Sequence, residues 1–545
     1  MSDSVIVHVQ PNKSFYKPQE PVELAISCVQ GVEVHAKISY LADEVTTLRV
    51  PLTEGIALLQ WTPPAVAPRG YGVDMNVMNA QGQVIATANS AFDVLERWTQ
   101  APRYGFLTEF TSACHDPQET MALMAKHHVN GLQFYDWQYR HEQLMPPAET
   151  ADDYSDLLGR TMSLKTVHAL IDTAHAYSIA AMPYTAIYGA SSSFYDANPD
   201  MALYDTSGSP FRLGADYLVI MNPASGSAWE NHLLKAFAEV LDNTRFDGIH
   251  IDQYGAPMHG RTSEDELIRL EDTFPTFINA THELVKAKRD AEGATIFNNV
   301  RNWPLATVAP VEGQDAVYIE VWEPYSTFLD LHRIVTEARN LSGEKPVIIP
   351  AYIHPDEAIN VRLAHAMILA SGGYQLQLGE PRAMLADPYF PKFGLMDEAM
   401  QAVMQRHYDF TVRYENVLAL GTVDVTPSRA RALKIAGIQT DGLRSKDRVA
   451  VIVRSSETTE AFSLINLMGI DHEYWNVALT SAPTPHTHLK ISLDISKPVQ
   501  RVYATSPDQT ALHTQPIDFE THGNTIQFTL TELNYWTLIV VEYVS

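Results

Sequence analysis

The sequence predicts a multidomain protein: a central (β/α)8 TIM barrel flanked by an N-terminal immunoglobulin-like β-sandwich and a C-terminal antiparallel β-sandwich. Three observations lead there. The apolar period changes twice along the 545 residues, from short alternating strands to strands interleaved with helical stretches, and back again. The middle stretch holds eight strand-like segments separated by helical ones, the pattern of a barrel. No Gly-rich phosphate loop follows its first strand, which disfavours a doubly wound open sheet.

Residues 1–98 carry the first alternating segments, Val5–Val9, Val22–Cys28 and Glu33–Tyr40. Pro11-Asn12, Pro18, Pro21 and Pro63-Pro64 punctuate them, and no helical stretch intervenes, as in a small β-sandwich. A linker is expected around Glu96 to Pro102.

Residues 99–417 are read as the barrel. Its strands are expected at Tyr104–Phe110, Gly131–Trp137, Ile179–Ile187, Phe246–Tyr254, Ala294–Val300, Ala316–Trp322, Pro346–Ile353 and Tyr374–Gly379. One helix starts at Asp116-Pro117-Gln118-Glu119, where Asp caps, Pro suits the first turn and Glu completes a box-like pattern. Others are expected at Leu164–Tyr177, Ala228–Leu241, Glu264–Lys288, Thr327–Arg339 and Pro355–Ala370. Residues 418–545 return to strands, at Ala432–Gln439, Val449–Ser455, Ala461–Leu467, Leu489–Leu493, Val499–Ala504, Ile526–Leu530 and Trp536–Tyr543.

Composition narrows the function. With 38 Lys+Arg against 65 Asp+Glu the formal charge is −27, which repels phosphate backbones and argues against nucleic acid. No apolar run reaches the roughly 18–20 residues that span a bilayer, so no membrane partner is expected. Two distant cysteines, Cys28 and Cys114, exclude a disulfide framework and a Cys-based zinc site and read as free buried thiols. The opening Met1-Ser-Asp-Ser-Val has neither a basic n-region nor a long apolar h-region. It suits a cytoplasmic protein, or a secreted one whose leader has been removed. Oligomeric state is not readable from the sequence.

Strand parity selects the candidate chemistry. In Phe246–Tyr254, Ile249 and Ile251 suit the helix-facing side, leaving Gly248, His250 and Asp252 inward. In Ala316–Trp322, Val317, Ile319 and Val321 face the helices and Tyr318, Glu320 and Trp322 face inward. Asp252 and Glu320 thus meet at the C-terminal mouth, where barrel active sites sit. Two carboxylates across such a mouth are what glycoside hydrolysis needs, ~5–5.5 Å apart for retention and ~6.5–9.5 Å for inversion. Trp322 would serve as an apolar neighbour that separates their pKa values. The alternative is that either acid pairs with an inward Arg or His in a stabilising layer.

Aromatic residues gather at the other strand ends: Tyr135, Trp137 and Tyr139, then Tyr184 and Tyr188, Trp303 and Tyr352. Such rings stack on sugar faces, while Gln253, Asn298, Asn299 and His354 can bond hydroxyls. A metal hydrolase built on His141, His250, His259 and His354 is the rival. It lacks a His-x-His after the first strand and a carbamylation-type Lys, so no metal and no cofactor are expected. A Gly-x-Ser-x-Gly elbow is absent as well. His127-His128 is expected to be solvated on a helix.

Four strings carry a resemblance. They are Trp98-Thr99-Gln100-Ala101-Pro102-Arg103-Tyr104-Gly105-Phe106, Leu132-Gln133-Phe134-Tyr135-Asp136-Trp137-Gln138-Tyr139-Arg140-His141, Phe246-Asp247-Gly248-Ile249-His250-Ile251-Asp252, and Glu320-Val321-Trp322. Together they resemble glycoside hydrolase family 66, the dextranases and cycloisomaltooligosaccharide glucanotransferases. The resemblance covers the whole chain and implies a retaining mechanism on α-1,6-glucan, dextran or isomaltooligosaccharides. It puts the nucleophile on Asp252 and the acid/base on Glu320, the pair that parity had selected. The second-strand string adds Asp136 and His141 to Tyr135, Trp137, Tyr184, Tyr188, His250, Gln253, Asn299, Trp322, Tyr352 and His354 as candidate sugar contacts. The family's Gly-Trp-Gln-Gly-Asp is here Gly-Ile-His-Ile-Asp, residues 248–252.

The glucanotransferases resemble the dextranases but carry a binding module between the seventh and eighth strands. Here a single helix lies between His354 and Tyr374, which favours hydrolysis over cyclisation. The expected activity is therefore endo-hydrolysis of α-1,6-glucosidic bonds. The alternatives are a transglycosylase making longer or cyclic isomaltooligosaccharides, and an inactive glucan-binding protein.

Overall fold

The computed structural model describes residues 7–114, 116–150, 152–214, 217–440 and 446–544. The chain is multidomain and β-rich. Of the first expected strand, Val5 and Ile6 lie outside the described residues, as does the Met1–Val5 opening; pairing begins at His8–Pro11.

In the N-terminal part, His8–Pro11, Val22–Ser27 and Ile56–Trp61 form one antiparallel sheet. Asp43–Pro51, Glu33–Tyr40, Arg69–Met78 and Val84–Val94 form a second. Alternation does the sorting: Val22, Leu24 and Ile26 are buried while Ala25 and Ser27 face water. Their core also takes in Tyr71 and Phe92, stacked at 5.1 Å.

The middle of the chain makes a large curled sheet of eleven strands among the described residues. Tyr104–Leu107, Gly131–Phe134, Ala180–Ala186, Gly248–Asp252, Ala294–Asn298, Ala316–Tyr318, Val347–Pro350 and Gly373–Leu376 pair in parallel, in chain order. After Gln377 the same segment continues as Leu378–Gly379, where Gly379 pairs in parallel with Phe106 of the first strand. Each expected strand is present and shorter than its apolar run, because the ends peel away into loops. Connecting helices include Pro117–Lys126, Leu164–Ala176, Ala228–Asn243, Leu270–Arg289, Phe328–Ser342 and Ala358–Ala370. Asp116 caps the first through the Gln118 amide.

Three features depart from expectation. Residues 264–269 are not helical: Thr262 Oγ1 accepts the amides of Glu264 and Glu266, and Leu267–Arg269 pairs with His259–Arg261 as a hairpin. A helix at Glu398–Leu418, which the sequence does not predict, packs against the strands Arg69–Met78 and Val84–Val94 of the second N-terminal sheet. His127 and His128 are buried rather than solvated, and His128 Nε2 meets Asp409 on that helix at 2.8 Å.

That interface is built from charge. Arg413 reaches Asp74 at 2.5 Å, over Gly72, where a Cβ would stand 1.9 Å from the guanidinium. Arg103 lies between Asp93, at 2.8 Å, and Glu415, at 3.3 Å, all three sealed from water. C-terminal strands form a six-stranded and a four-stranded antiparallel sheet around a separate apolar core.

The seam between the first and last parallel strands depends on Glu380, whose Oε1 accepts the amides of Thr108 and Glu109. Burial pushes its carboxyl up to about 7, against those two hydrogen bonds. A carboxyl raised on folding binds its proton more tightly in the native state. Its stabilising contribution is therefore full below about pH 4.5 and lost as pH rises through about 7, some 3 kcal/mol in all. Glu380→Gln keeps the acceptor and removes the titration. It should gain stability over the parent at pH 8 and not at pH 5, read from urea midpoints; an equal difference at both would exclude the effect.

Candidate active site

Parity along the fourth and sixth strands sets the two faces of the curled sheet. Ile249, Ile251, Val317, Ile319 and Val321 join the apolar layer shared with the helices. Tyr104, Ile296, Tyr318 and Ile348 fill the inner layer. His250 lies among them, stacked on Tyr104 at 5.8 Å and edge-on to Tyr318 at 4.7 Å, with the Tyr104 hydroxyl 3.1 Å from Nδ1. Burial drives its pKa down to about 3, so it is a neutral floor to the site.

Asp252 and Glu320 stand above this floor. Tyr184 donates to Asp252 Oδ2 at 2.6 Å, and Tyr352 donates to Glu320 Oε1 at 2.5 Å. Asn298, ending the fifth strand, uses one amide nitrogen for both acids: 2.6 Å to Asp252 Oδ1 and 2.9 Å to Glu320 Oε2. Those two oxygens are therefore no farther apart than the bonds laid end to end, 5.5 Å. The Glu320 amide in turn donates to Asn298 Oδ1 at 3.3 Å.

Burial, and then the Glu320 charge, push Asp252 well above the usual carboxylate range, while Tyr184 and Asn298 pull it back. Burial also raises Glu320, opposed by Tyr352 and Asn298. Two acids this close cannot both ionise cheaply, so the second proton leaves the pair at higher pH than it would leave either acid alone. Tyr184 and Tyr352 are themselves held far above the phenol value by burial and remain donors.

The remaining candidates divide. Tyr135 lies beside Tyr184 at 4.9 Å and stacks on Phe390 at 4.3 Å. Trp322 meets Tyr352 at 6.1 Å, with the Arg301 guanidinium 5.7 Å from its ring. Asp136, raised by burial to about 6, lies against Arg160 at 3.3 Å. His141 is buried and held down to about 4 by that burial.

Gln253, Tyr188 and Asn299 are sealed framework. Gln253 accepts from Gly255 N and Tyr188 and donates to the Trp303 carbonyl at 3.0 Å. Asn299 donates to the Tyr318 carbonyl at 3.0 Å. His354 is half exposed and turns to Asp356. Trp137 departs from the expected parity: the strand ends at Phe134, Asp136 takes a left-handed φ of 53°, and the indole packs on Phe246 in the outer layer. The sequence predicts Asn298 only as a hydroxyl partner, not as the bridge between the acids. Its inward parity with Ala294 and Ile296 was the signal for its bridging place.

The whole chain has known relatives. Residues 11–540 match the profile of Glycosyl hydrolase family 66. A cycloisomaltooligosaccharide glucanotransferase of Niallia circulans is 23% identical over 98% of this chain and 72% of its own length. That alignment runs over 704 positions, more than the 545 residues here, so this relative carries inserted segments within the matched span. A dextranase of Streptococcus salivarius is 23% identical over 87% of this chain and 67% of its own. A Paenibacillus cycloisomaltooligosaccharide glucanotransferase, solved with cycloisomaltoheptaose, superposes with a TM-score of 0.90 at 21% identity, over 98% of this chain and 99% of its own. The chain belongs to glycosyl hydrolase family 66.

Proposed function

We propose that this protein is a retaining endo-α-1,6-glucanase acting on dextran or isomaltooligosaccharides. In this reading the curled sheet is a (β/α)8 barrel over residues 99–417, between β-sandwiches at 1–98 and 418–545. Asp252 attacks C1 of a glucosyl unit while the proton of Glu320 passes to the glycosidic oxygen. The C1–O bond breaks and the leaving chain departs with that proton. Glu320 then takes a proton from water, which attacks C1 and releases Asp252. Tyr135, Asp136, His141, Trp322 and Tyr352 line the sugar path, with Tyr184 and Asn298 fixing the nucleophile.

The shared Asn298 donor carries the reading. Its two bonds hold the acid oxygens within 5.5 Å, in keeping with the ~5–5.5 Å carboxyl spacing of a direct displacement and below the ~6.5–9.5 Å of inversion. Retention is checked by following dextran cleavage with proton NMR. The new reducing ends should form first as the α anomer and then mutarotate; β first would sink the assignment.

Transfer to another glucan is the second reading, because curated relatives on the same profile are glucanotransferases. Hydrolysis is favoured by the short connection from the seventh strand, Val347–Pro350, to the eighth, Gly373–Leu376, which holds one helix, Ala358–Ala370. Chromatography of products at high substrate separates the two: linear short products for hydrolysis, longer or cyclic ones for transfer.

A further inference from the structure

Glu320 does not hold its position through the curled sheet alone. The assigned strand ends at Tyr318; Ile319 N and Val321 N still reach the Ile348 and Pro350 carbonyls at 3.0 and 3.5 Å, and beyond them the chain runs as a loop to the helix Phe328–Ser342. The backbone of that loop is tied to the C-terminal part of the chain. Between the strands Thr459–Asn466 and His486–Asp494 lies a connection, residues 467–485, that crosses to it. Trp475 N donates to the Ser326 carbonyl at 2.9 Å, and Phe328 N donates to the Glu473 carbonyl at 3.0 Å. The Trp475 indole, 3% exposed, donates to the Tyr325 carbonyl at 2.8 Å. Tyr325 N then bonds the Trp322 carbonyl at 3.0 Å, two residues from Glu320.

The same crossing segment is fastened to the helix Ala358–Ala370, which follows the strand leading to Tyr352. Fully buried Asn360 donates to the carbonyls of Trp475 at 3.0 Å and Val477 at 2.7 Å and accepts from Leu479 N at 2.8 Å. Asp471 stiffens the segment by accepting from the amides of Thr480 and Ser481. One stretch of chain thus sets the loop that follows Glu320 against the element that brings Tyr352 to it. A connection this long within a compact unit is uncommon unless it has a task.

We infer that Trp475, held by Asn360, is a positioning residue that aims Glu320 for proton transfer to the leaving oxygen. This rests on the acid/base reading of Glu320 given above. Displacement of a catalytic group by about 1 Å can cost on the order of 100-fold, and the loss falls where proton transfer is needed.

Leaving-group dependence tests it in the full chain. A nitrophenyl α-isomaltoside releases a stable phenolate and needs little protonation, whereas dextran releases an alcohol. Trp475→Phe should lower kcat on dextran by about 10-fold or more, with KM little changed, and spare nitrophenyl release to within about twofold. Asn360→Asp, which keeps the shape and removes the amide donors, should show the same split, and serves if Trp475→Phe does not fold. Equal loss on both substrates, or no loss on either, would overturn the positioning role. Glu320→Gln run beside them separates the two levels: if it shows no split, the acid/base reading itself fails.

Discussion

Asp252→Asn is expected to abolish dextran cleavage, with kcat falling by on the order of 10⁴-fold or more, the scale on which enzymes lose a covalent nucleophile. The amide keeps the volume of the carboxyl between Tyr184 and Asn298, so the fold should survive. What disappears is the charge that, in the proposed mechanism, forms the bond to C1. One geometric detail makes the substitution harsher than its size: Asn298 already points an N–H at Asp252 Oδ1. The new amide must turn its oxygen to that donor and its NH2 to the Tyr184 hydroxyl, which can accept. Release of reducing ends at near-normal rates would remove Asp252 from the reaction, whatever the state of the fold.

Glu320→Gln should cost about 10²–10⁴-fold on dextran, the usual contribution of general acid–base participation. The pH profile carries the sign. Both carboxyls are raised by burial, and the proposed mechanism needs Asp252 ionised and Glu320 protonated. Activity of the parent should therefore fall at low pH, as Asp252 gains a proton, and again at high pH, as Glu320 loses its own. With Gln at 320 there is no proton to lose, and Asp252 titrates beside a neutral side chain, as it does beside protonated Glu320 in the parent. The alkaline limb of kcat/KM for dextran should vanish, and the acid limb should stay where it is. An alkaline limb unchanged in the variant would mean that another group supplies the proton.

The inner and outer faces of the fourth and sixth strands were legible because their aliphatic residues, Ile249, Ile251, Val317, Ile319 and Val321, leave no choice of side. That single constraint brought Asp252 and Glu320 to one rim. Parity stopped working where regular pairing stopped. Beyond Phe134 the left-handed turn at Asp136 rotates the chain, and Trp137 enters the helix-facing layer instead of the proposed sugar path. The helix Glu398–Leu418 escaped because its buried face includes Asp409, Arg413 and Glu415, whose partners lie hundreds of residues away. Long-range charge pairing leaves no local period to read. The Trp475 contact is invisible for the same reason: its loop looks like a surface connection until the chain is folded.

The charged seam between that helix and the N-terminal sheets bears on how far this enzyme can be cut or recombined. Breaking a buried ion pair by removing one partner costs about 3–5 kcal/mol, against a whole-protein stability of about 5–15 kcal/mol. A version shortened to start near residue 99 would strip Asp93 from Arg103 and Asp74 from Arg413 in one stroke. The N-terminal sheets therefore behave as a wall of the same building, not as a wing to be exchanged. A chimera grafting another family member's front end would have to import the matching acids together with the glycine that lets Arg413 pass.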